Sequence, residues 1–385
     1  MSVTILARVL RGLEWVAAEE VASALPGVRP RLAAREVTFE VPRWPDPRVP
    51  GLRTVDDTFL RVAALDGVGT TRDIPGRVAT WAAGLDWAWW RDRLARLRPL
   101  PQRPRFDVVA SLDGKRSFNR FAMENAVGAA IQRRLGGTFA ARDAAGRGPG
   151  ETDLTVRLML RGPELVVALR LGVRPAHRRG YKLATGAGTL HPPLAATLVW
   201  LAADAGRVVA DPFCGDGTIA IETALAMPAA SVLAGDIDPA RLANARANAT
   251  RAGVAIGLCQ ADAGRPPWQP GRVSTVLTNP PWDLAVQARG AVSRSLDPFL
   301  RSVLSLLDPD GRVCLVADAE LAAPTLLARS GFRVLLGQRV RLAGRISDLV
   351  LCAPESAAPG AAPPAGLVQW RDRALAAGLV TADGF

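Results

Sequence analysis

From about residue 205 onward the sequence alternates short apolar runs with amphipathic ones. The apolar runs, at 207–210, 231–235, 255–260, 273–278 and 312–317, have strand length. The stretches between them, at 218–227, 239–252, 293–307 and 319–328, carry apolar residues at helical spacing. Strands separated by helices cannot pair as hairpins. They build a parallel sheet covered on both faces, an α/β fold whose ligands bind beyond the carboxyl ends of the strands. Two last runs, 332–336 and 346–352, close the pattern as a terminal pair.

The strand ends carry acids. Asp211 ends the first strand and opens the loop Asp211-Pro212-Phe213-Cys214-Gly215-Asp216-Gly217-Thr218. Gly215 and Gly217 let the backbone approach a ligand, and the helix start at Thr218 favours a carboxylate. The loop has neither the Gly-x-Gly-x-x-Gly spacing nor the lysine of a phosphate cradle. Asp236 directly follows the second strand, 25 residues after Asp211, where a carboxylate can accept from two ribose hydroxyls. Asp238, just before Pro239, reads as a helix cap. Asp262 follows the third strand, placed to accept from an adenine amino group.

Asn279-Pro280-Pro281-Trp282 follows the fourth strand. An exocyclic amine is a weak nucleophile because its lone pair is delocalised, so it needs acceptors that draw its hydrogens aside and a fixed approach. Asn279 accepts through its side chain and Pro280 through its carbonyl. The prolines stiffen the loop without adding donors. Trp282 offers a flat face for a base. Asp283 reads as a solvated loop acid.

The front half has another character. A strand at 5–9, a helix from 12 to 25 and a strand at 37–41 suit a small ferredoxin-like module, and four prolines in 42–51 read as a loop. Helices are expected around 55–65, 78–97 and 117–135. Strands are expected at 106–110, 154–160 and 165–171, the last two as a hairpin turning at Gly162-Pro163. Residues 1–190 hold 31 Arg and Lys against 19 Asp and Glu, while residues 191–385 hold 17 of each, so the net charge of +12 belongs to the front. Such asymmetry fits a polyanion-binding part joined to a neutral one. Arginine-rich usage explains why only Lys115 and Lys182 are lysines, but not the split. No apolar run is long enough for a membrane span, and residues 1–11 lack the features of a secretory signal. Four scattered cysteines fit reduced thiols in a cytoplasm and no metal site.

Residues 207–352 resemble a class I S-adenosylmethionine-dependent methyltransferase: the DPFCGDGT loop, GDIDP, QAD and NPPW follow one another in that family's order. Residues 1–175 resemble the N-terminal module and THUMP domain of RNA guanine-N2 methyltransferases, and residues 174–194, with Arg178-Arg179-Gly180-Tyr181-Lys182, resemble their interdomain junction. The resemblance implies five parts: a ferredoxin-like module at 1–50, a THUMP-like RNA-binding domain at 51–173, a junction at 174–204, a Rossmann-like methyltransferase domain at 205–353, and a flexible tail with a short helix at 354–385. It implies S-adenosylmethionine held by Asp211, Phe213, Gly215, Gly217, Thr218, Asp236, Ile237, Asp262 and Asn279. Catalysis falls to Asn279, Pro280 and Trp282. RNA contacts are expected from Lys115, Arg116, Arg120, Arg133, Arg134, Arg178, Arg179 and Lys182, the last three of which also stand where acids between domains would meet them. The expected protein is a cytoplasmic monomer that methylates N2 of a guanosine in tRNA. The alternatives are a ribosomal RNA guanine-N2 methyltransferase, a DNA adenine-N6 or cytosine-N4 methyltransferase, and an RNA-binding protein without catalysis. The three intact acids argue against the last.

Overall fold

The computed structural model describes residues 2–143, 145–186, 188–202, 208–281, 287–342, 344–357 and 363–382. The front half forms one eight-stranded sheet. Its strands are β1 (Val3–Arg8), β2 (Arg31–Ala33), β3 (Glu36–Val41), β4 (Asp57–Leu65), β5 (Arg105–Leu112), β6 (Thr138–Phe139), β7 (Leu154–Arg161) and β8 (Glu164–Arg170), in the order β2-β3-β1-β4-β8-β7-β5-β6. The sheet runs across residue 50 without a break, because β1 pairs with β3 on one side and β4 on the other. β7 and β8 form the hairpin expected around Gly162. Four helices accompany the sheet: α1 (Glu14–Ala24), α2 (Ile74–Ala83), α3 (Trp87–Ala95) and α4 (Arg120–Leu135).

Residues 55–65, expected as a helix, form the strand β4 instead. The segment Asp57–Leu65 is rich in Leu, Ala and Arg, good helix formers. It lies between β1 and β8, buries Phe59 and Leu60, and so lacks the polar alternation that marks a half-exposed strand. Pairing on both edges outweighs local propensity. The expected helix at 78–97 is two helices, since Gly84 ends α2 and Asp86 caps α3 by accepting from the Trp89 N–H. Asn119 caps α4 in the same way and sets its start.

The second sheet contains β9 (Val208–Asp211), β10 (Ser231–Asp236), β11 (Gly257–Gln260), β12 (Val273–Thr278), β13 (Leu307–Asp318), β14 (Phe332–Leu342) and β15 (Arg345–Pro354). Their order is β11-β10-β9-β12-β13-β15-β14. The first five are parallel. β15 runs antiparallel to both β13 and β14, so the sheet is mixed at the end that the terminal pair occupies. The chain order reverses between β9 and β12, the neighbours at which a crevice opens. The associated helices are α5 (Pro192–Leu201), α6 (Thr218–Ala226), α7 (Pro239–Ala252), α8 (Asp297–Leu306), α9 (Ala323–Arg329) and α10 (Ala365–Ala376).

One element falls where only a connection was expected, and a second lies in the tail, where a short helix was expected. α5 lies in the junction stretch, is apolar on every side, and packs against α6 with Leu194, Leu198 and Leu201 fully buried. α10 lies in the tail and packs on α1, burying Leu367, Trp370 and Ala374. Residues 358–362 are outside the described residues. α1 is therefore gripped by α5 and α10, and one apolar cluster runs from Trp15 and Val16 through Leu198 to Leu349 and Leu367. The two halves share a core. No helix among the described residues is long and apolar enough to cross a membrane.

Candidate active site

The carboxyl ends of β9, β10 and β12 open into a cleft of about 1730 Å³ that continues between the two halves. Asp211 is 2% exposed. One of its oxygens accepts from Thr278 Oγ1 at 2.9 Å and from the Phe213 N–H at 3.2 Å, while the other has no partner among the described residues. Burial pushes its carboxyl up to about 7, and the nearby Asp236 charge adds to the shift. Asp211 thus ties the end of β9 to the end of β12. Phe213 stands edge-on to Phe299 with ring centres 5.1 Å apart. Gly215 and Gly217 both have positive φ, at 50° and 82°, and a Cβ on Gly217 would lie 3.0 Å from the Ala245 Cβ where α7 approaches. Thr218 begins α6 with a buried hydroxyl that has no partner among the described residues.

Asp236 accepts from the Gly215 N–H and the Asp238 N–H, each at 2.9 Å, one on each oxygen. It holds the glycine loop in place and keeps lone pairs free on both oxygens. Asp238 is the cap of α7, accepting from the Ala240 N–H. Ile237 is 37% exposed on the cleft wall. Asp262 accepts from the Gly264 N–H at 2.9 Å and the Ala291 N–H at 2.7 Å, which pins the chain after β12 to the end of β11. Across the cleft, Asn279 donates from Nδ2 to the Gly188 carbonyl at 3.5 Å, and its Oδ1 is buried without a partner among the described residues. Pro280 is buried and lines the same cleft. Trp282 and Asp283 lie outside the described residues.

These groups fit a ligand carrying a carboxylate, a ribose and an adenine. The helix start at Thr218 faces the cleft with an unpaired hydroxyl, Asp236 retains acceptor capacity for two hydroxyls, and Ile237 offers an apolar face beside Asp262. Among the described residues, no group of three His, Cys, Asp or Glu side chains is placed to hold a metal ion.

The basic residues divide into two sets. Lys115, Arg120, Arg133 and Arg134 are exposed on or just before α4. Arg178 and Lys182 line the cleft, and burial lowers the Lys182 pKa. Arg116 is a structural clamp, since its guanidinium donates to the carbonyls of Gly69, Asp113 and Gly162 and spans three loops. Arg179 is also structural. It donates to Glu222 at 2.9 Å and to the carbonyls of Ala176 and Arg53, and its side chain is 8% exposed. Arg116 was expected at the RNA, and Arg179 either there or against an acid between domains; Arg179 meets Glu222, and Arg116 spends its terminal amino groups on backbone carbonyls.

Sequence reasoning missed Asp216, Thr189, Arg241, Asn244 and Asn248, which stitch the stretch before α5 to the catalytic half. Asp216 accepts from the Gly186 N–H, Thr189, Arg241 and Asn244. Asn248 accepts from the Leu183 and Ala184 N–H groups and donates to the Ala184 and Asp216 carbonyls. The only sequence signal was a second acid in the glycine loop that the cofactor did not need. The two histidines of the chain stack at 5.3 Å on the same cleft, beside Asp56, and burial lowers the His191 pKa to about 4.

A seven-stranded sheet in this order, with acids at the ends of β9 and β10 and just beyond β11, and Asn-Pro-Pro after β12, is the Rossmann-like fold and site of a class I methyltransferase. Comparison with known proteins agrees. Residues 179–348 match the RMKL-like methyltransferase domain family UPF0020. Over 323 residues the chain is 33% identical to the tRNA (guanine(6)-N2)-methyltransferase of Thermus thermophilus, covering 83% of this chain and 89% of that one. The crystal structure of TrmN from Thermus thermophilus superposes with a TM-score of 0.72 at 31% identity, covering 92% of this chain and 100% of that one. A shorter match, 39% identical over 110 residues, is to the ribosomal RNA large subunit methyltransferase K/L of Magnetococcus marinus, covering 26% of this chain and 14% of that one. The chain carries an RMKL-like methyltransferase domain and belongs to the family of the Thermus thermophilus tRNA (guanine-N2)-methyltransferase.

Proposed function

We propose that this protein transfers a methyl group from S-adenosylmethionine to the exocyclic N2 amine of a guanosine in tRNA. The observation that carries the chemistry is the buried Asn279 Oδ1, without a partner among the described residues, on the wall of the cleft that the glycine loop and Asp236 also line. Buried acceptors are normally paired, so one left open on the wall of a cleft is available to a donor of a bound ligand. The likeness to the tRNA enzyme, which extends over 83% of the chain, supports tRNA over ribosomal RNA, where the match covers 26%.

S-adenosylmethionine supplies an electrophilic methyl group on a sulfonium. Asp236 would hold the ribose hydroxyls, Asp262 and Ile237 the adenine, and Gly215, Gly217 and Thr218 the amino-acid end. Asn279 Oδ1 would accept from one N–H of the target amine and leave the nitrogen lone pair toward the methyl group; as the N–C bond forms the S–C bond breaks, S-adenosylhomocysteine leaves, and the amine gives up one proton to solvent. The Pro280 carbonyl is the second acceptor, on a loop stiffened by two prolines. Trp282 supplies a stacking face for a base swung out of its helix. The THUMP-like front half, with Lys115, Arg120, Arg133 and Arg134 exposed, positions the RNA through its phosphates. The protein acts as a monomer in the cytoplasm, a setting that its free cysteines suit.

The test is to incubate the protein with labelled S-adenosylmethionine and unmodified tRNA, ribosomal RNA or DNA, and to identify the labelled nucleoside. N2-methylguanosine in tRNA is the expected product. Label in N6-methyladenine, or in ribosomal RNA alone, would overturn the assignment.

A further inference from the structure

Asp216 lies in the glycine loop and is 2% exposed. Its carboxylate accepts from four groups of this chain. Arg241 and Asn244 reach it from α7 at 2.9 Å, the Gly186 N–H reaches it at 2.7 Å, and the Thr189 hydroxyl makes the fourth bond. A carboxylate has about four acceptor positions. These are filled, so Asp216 has no capacity left for the cofactor beside it. What it holds are Gly186 and Thr189, which flank Gly188 and precede α5.

That stretch carries the Gly188 carbonyl, the group that accepts from Asn279 Nδ2. A side-chain amide has a donor end and an acceptor end of nearly equal shape. An acceptor on one side selects the orientation that sends the nitrogen there and the oxygen away. In this structure the oxygen is the atom left buried without a partner among the described residues. With the amide reversed, an N–H would face the N–H of the target amine, and neither would have an acceptor.

We propose that Asp216 and Thr189 are positioning residues that hold the Gly188 carbonyl against Asn279 and so keep the Asn279 oxygen turned to the amine being methylated. The inference rests on Asn279 being the acceptor for that amine. It makes the interdomain stretch part of the acceptor pocket, and it ties the orientation of one side chain to an ionic anchor on α7.

The test is a double-mutant cycle on the full chain, read as the single-turnover methyl-transfer rate at saturating cofactor and RNA, with cofactor affinity measured separately by calorimetry. Thr189→Val removes the hydroxyl and keeps the shape. We expect a rate loss of about tenfold with cofactor affinity changed less than about twofold, and recovery of most of the rate in Thr189→Ser. Asp216→Asn, which weakens every bond at the anchor, should lose at least as much. In an Asn279→Ala background, Thr189→Val should cost nothing more, because the group it orients is gone. An additive loss in the cycle, a loss seen only as weaker cofactor binding, or a full rate in Thr189→Val would each overturn the proposal. If the wild type methylates a different amine, the labelled nucleoside reveals it, and the cycle still decides whether Thr189 acts through Asn279.

Discussion

Arg53 and Glu222, 169 positions apart, meet at 2.5 Å where the front half adjoins the catalytic half. Glu222 sits on α6 and is fully buried. Its other oxygen accepts from Arg179 at 2.9 Å and from the Tyr181 hydroxyl at 2.8 Å. Burial, followed by the Glu222 charge, raises the Tyr181 pKa and keeps its proton in place. One carboxylate thus joins the front half, the interdomain stretch and α6.

Glu222→Gln should therefore be strongly destabilising. It leaves two guanidinium groups beside a neutral amide, and breaking a buried pair from one side costs about 3 kcal/mol or more. Urea unfolding should show a clear fall in midpoint. Arg53→Ala should cost less, because Arg53 is partly exposed and Glu222 keeps Arg179. Equal effects would show that Arg53 alone holds the joint.

Asn279→Ala should lower turnover about 100-fold, as loss of a key polar contact to a reacting group does in other enzymes. Cofactor affinity by calorimetry should be nearly kept. Near-normal turnover would remove Asn279 from the acceptor role.

Asp236→Ala should act on binding instead. It removes the acceptor for the Gly215 and Asp238 N–H groups together with the acceptors proposed for the ribose. Affinity for S-adenosylmethionine should fall at least about tenfold. Unchanged affinity would mean that the cofactor is held elsewhere.

Asp211 gives the stability a pH dependence. Its folded-state pKa of about 7 lies above the ordinary carboxyl value of about 4, so the folded protein keeps a proton that the unfolded chain has released between those limits. The stability this group contributes is present below about pH 4 and is lost as the pH rises through 7. Asp211→Asn lacks that proton, and its Tm relative to the wild type should rise from pH 5 to pH 8. A constant difference across that range would show that Asp211 is ionised throughout.

Reversing Arg133 and Arg134 to Glu should weaken RNA binding and flatten its dependence on salt, since each lost phosphate contact removes released counterions. Arg116→Ala should instead lower the melting temperature, because its donors are bound to three backbone carbonyls. If RNA affinity follows Arg116 and ignores Arg133 and Arg134, the RNA lies on a different face.

Much of this was legible in the chain because it is encoded locally. The 239–252 helix and the 273–278 strand appear where their periodicity places them, with Asp238 as the helix cap. The acids appear at or just after their strand ends because a parallel strand must finish before its helix begins. Residues 55–65 were misread because pairing on both edges hides a strand from local pattern. Arg116 was expected at the RNA because a guanidinium looks the same in sequence whether it meets a phosphate or a carbonyl, and Arg179 was left open between the RNA and an interdomain acid for the same reason.

By itself the sequence determined the order of strands and helices in the catalytic half, the strand-end residues that line the cleft and the chemistry available at Asn279. These depend on residue type and on spacing along a few turns of chain. Only the tertiary structure decided which half each charged side chain serves: Asp216 for the stretch before α5, Glu222 for the joint between halves, α10 for the back of α1. Those pairings join positions far apart in the chain. A buried charge or apolar face takes whichever partner the packed core delivers, and no local period records that choice.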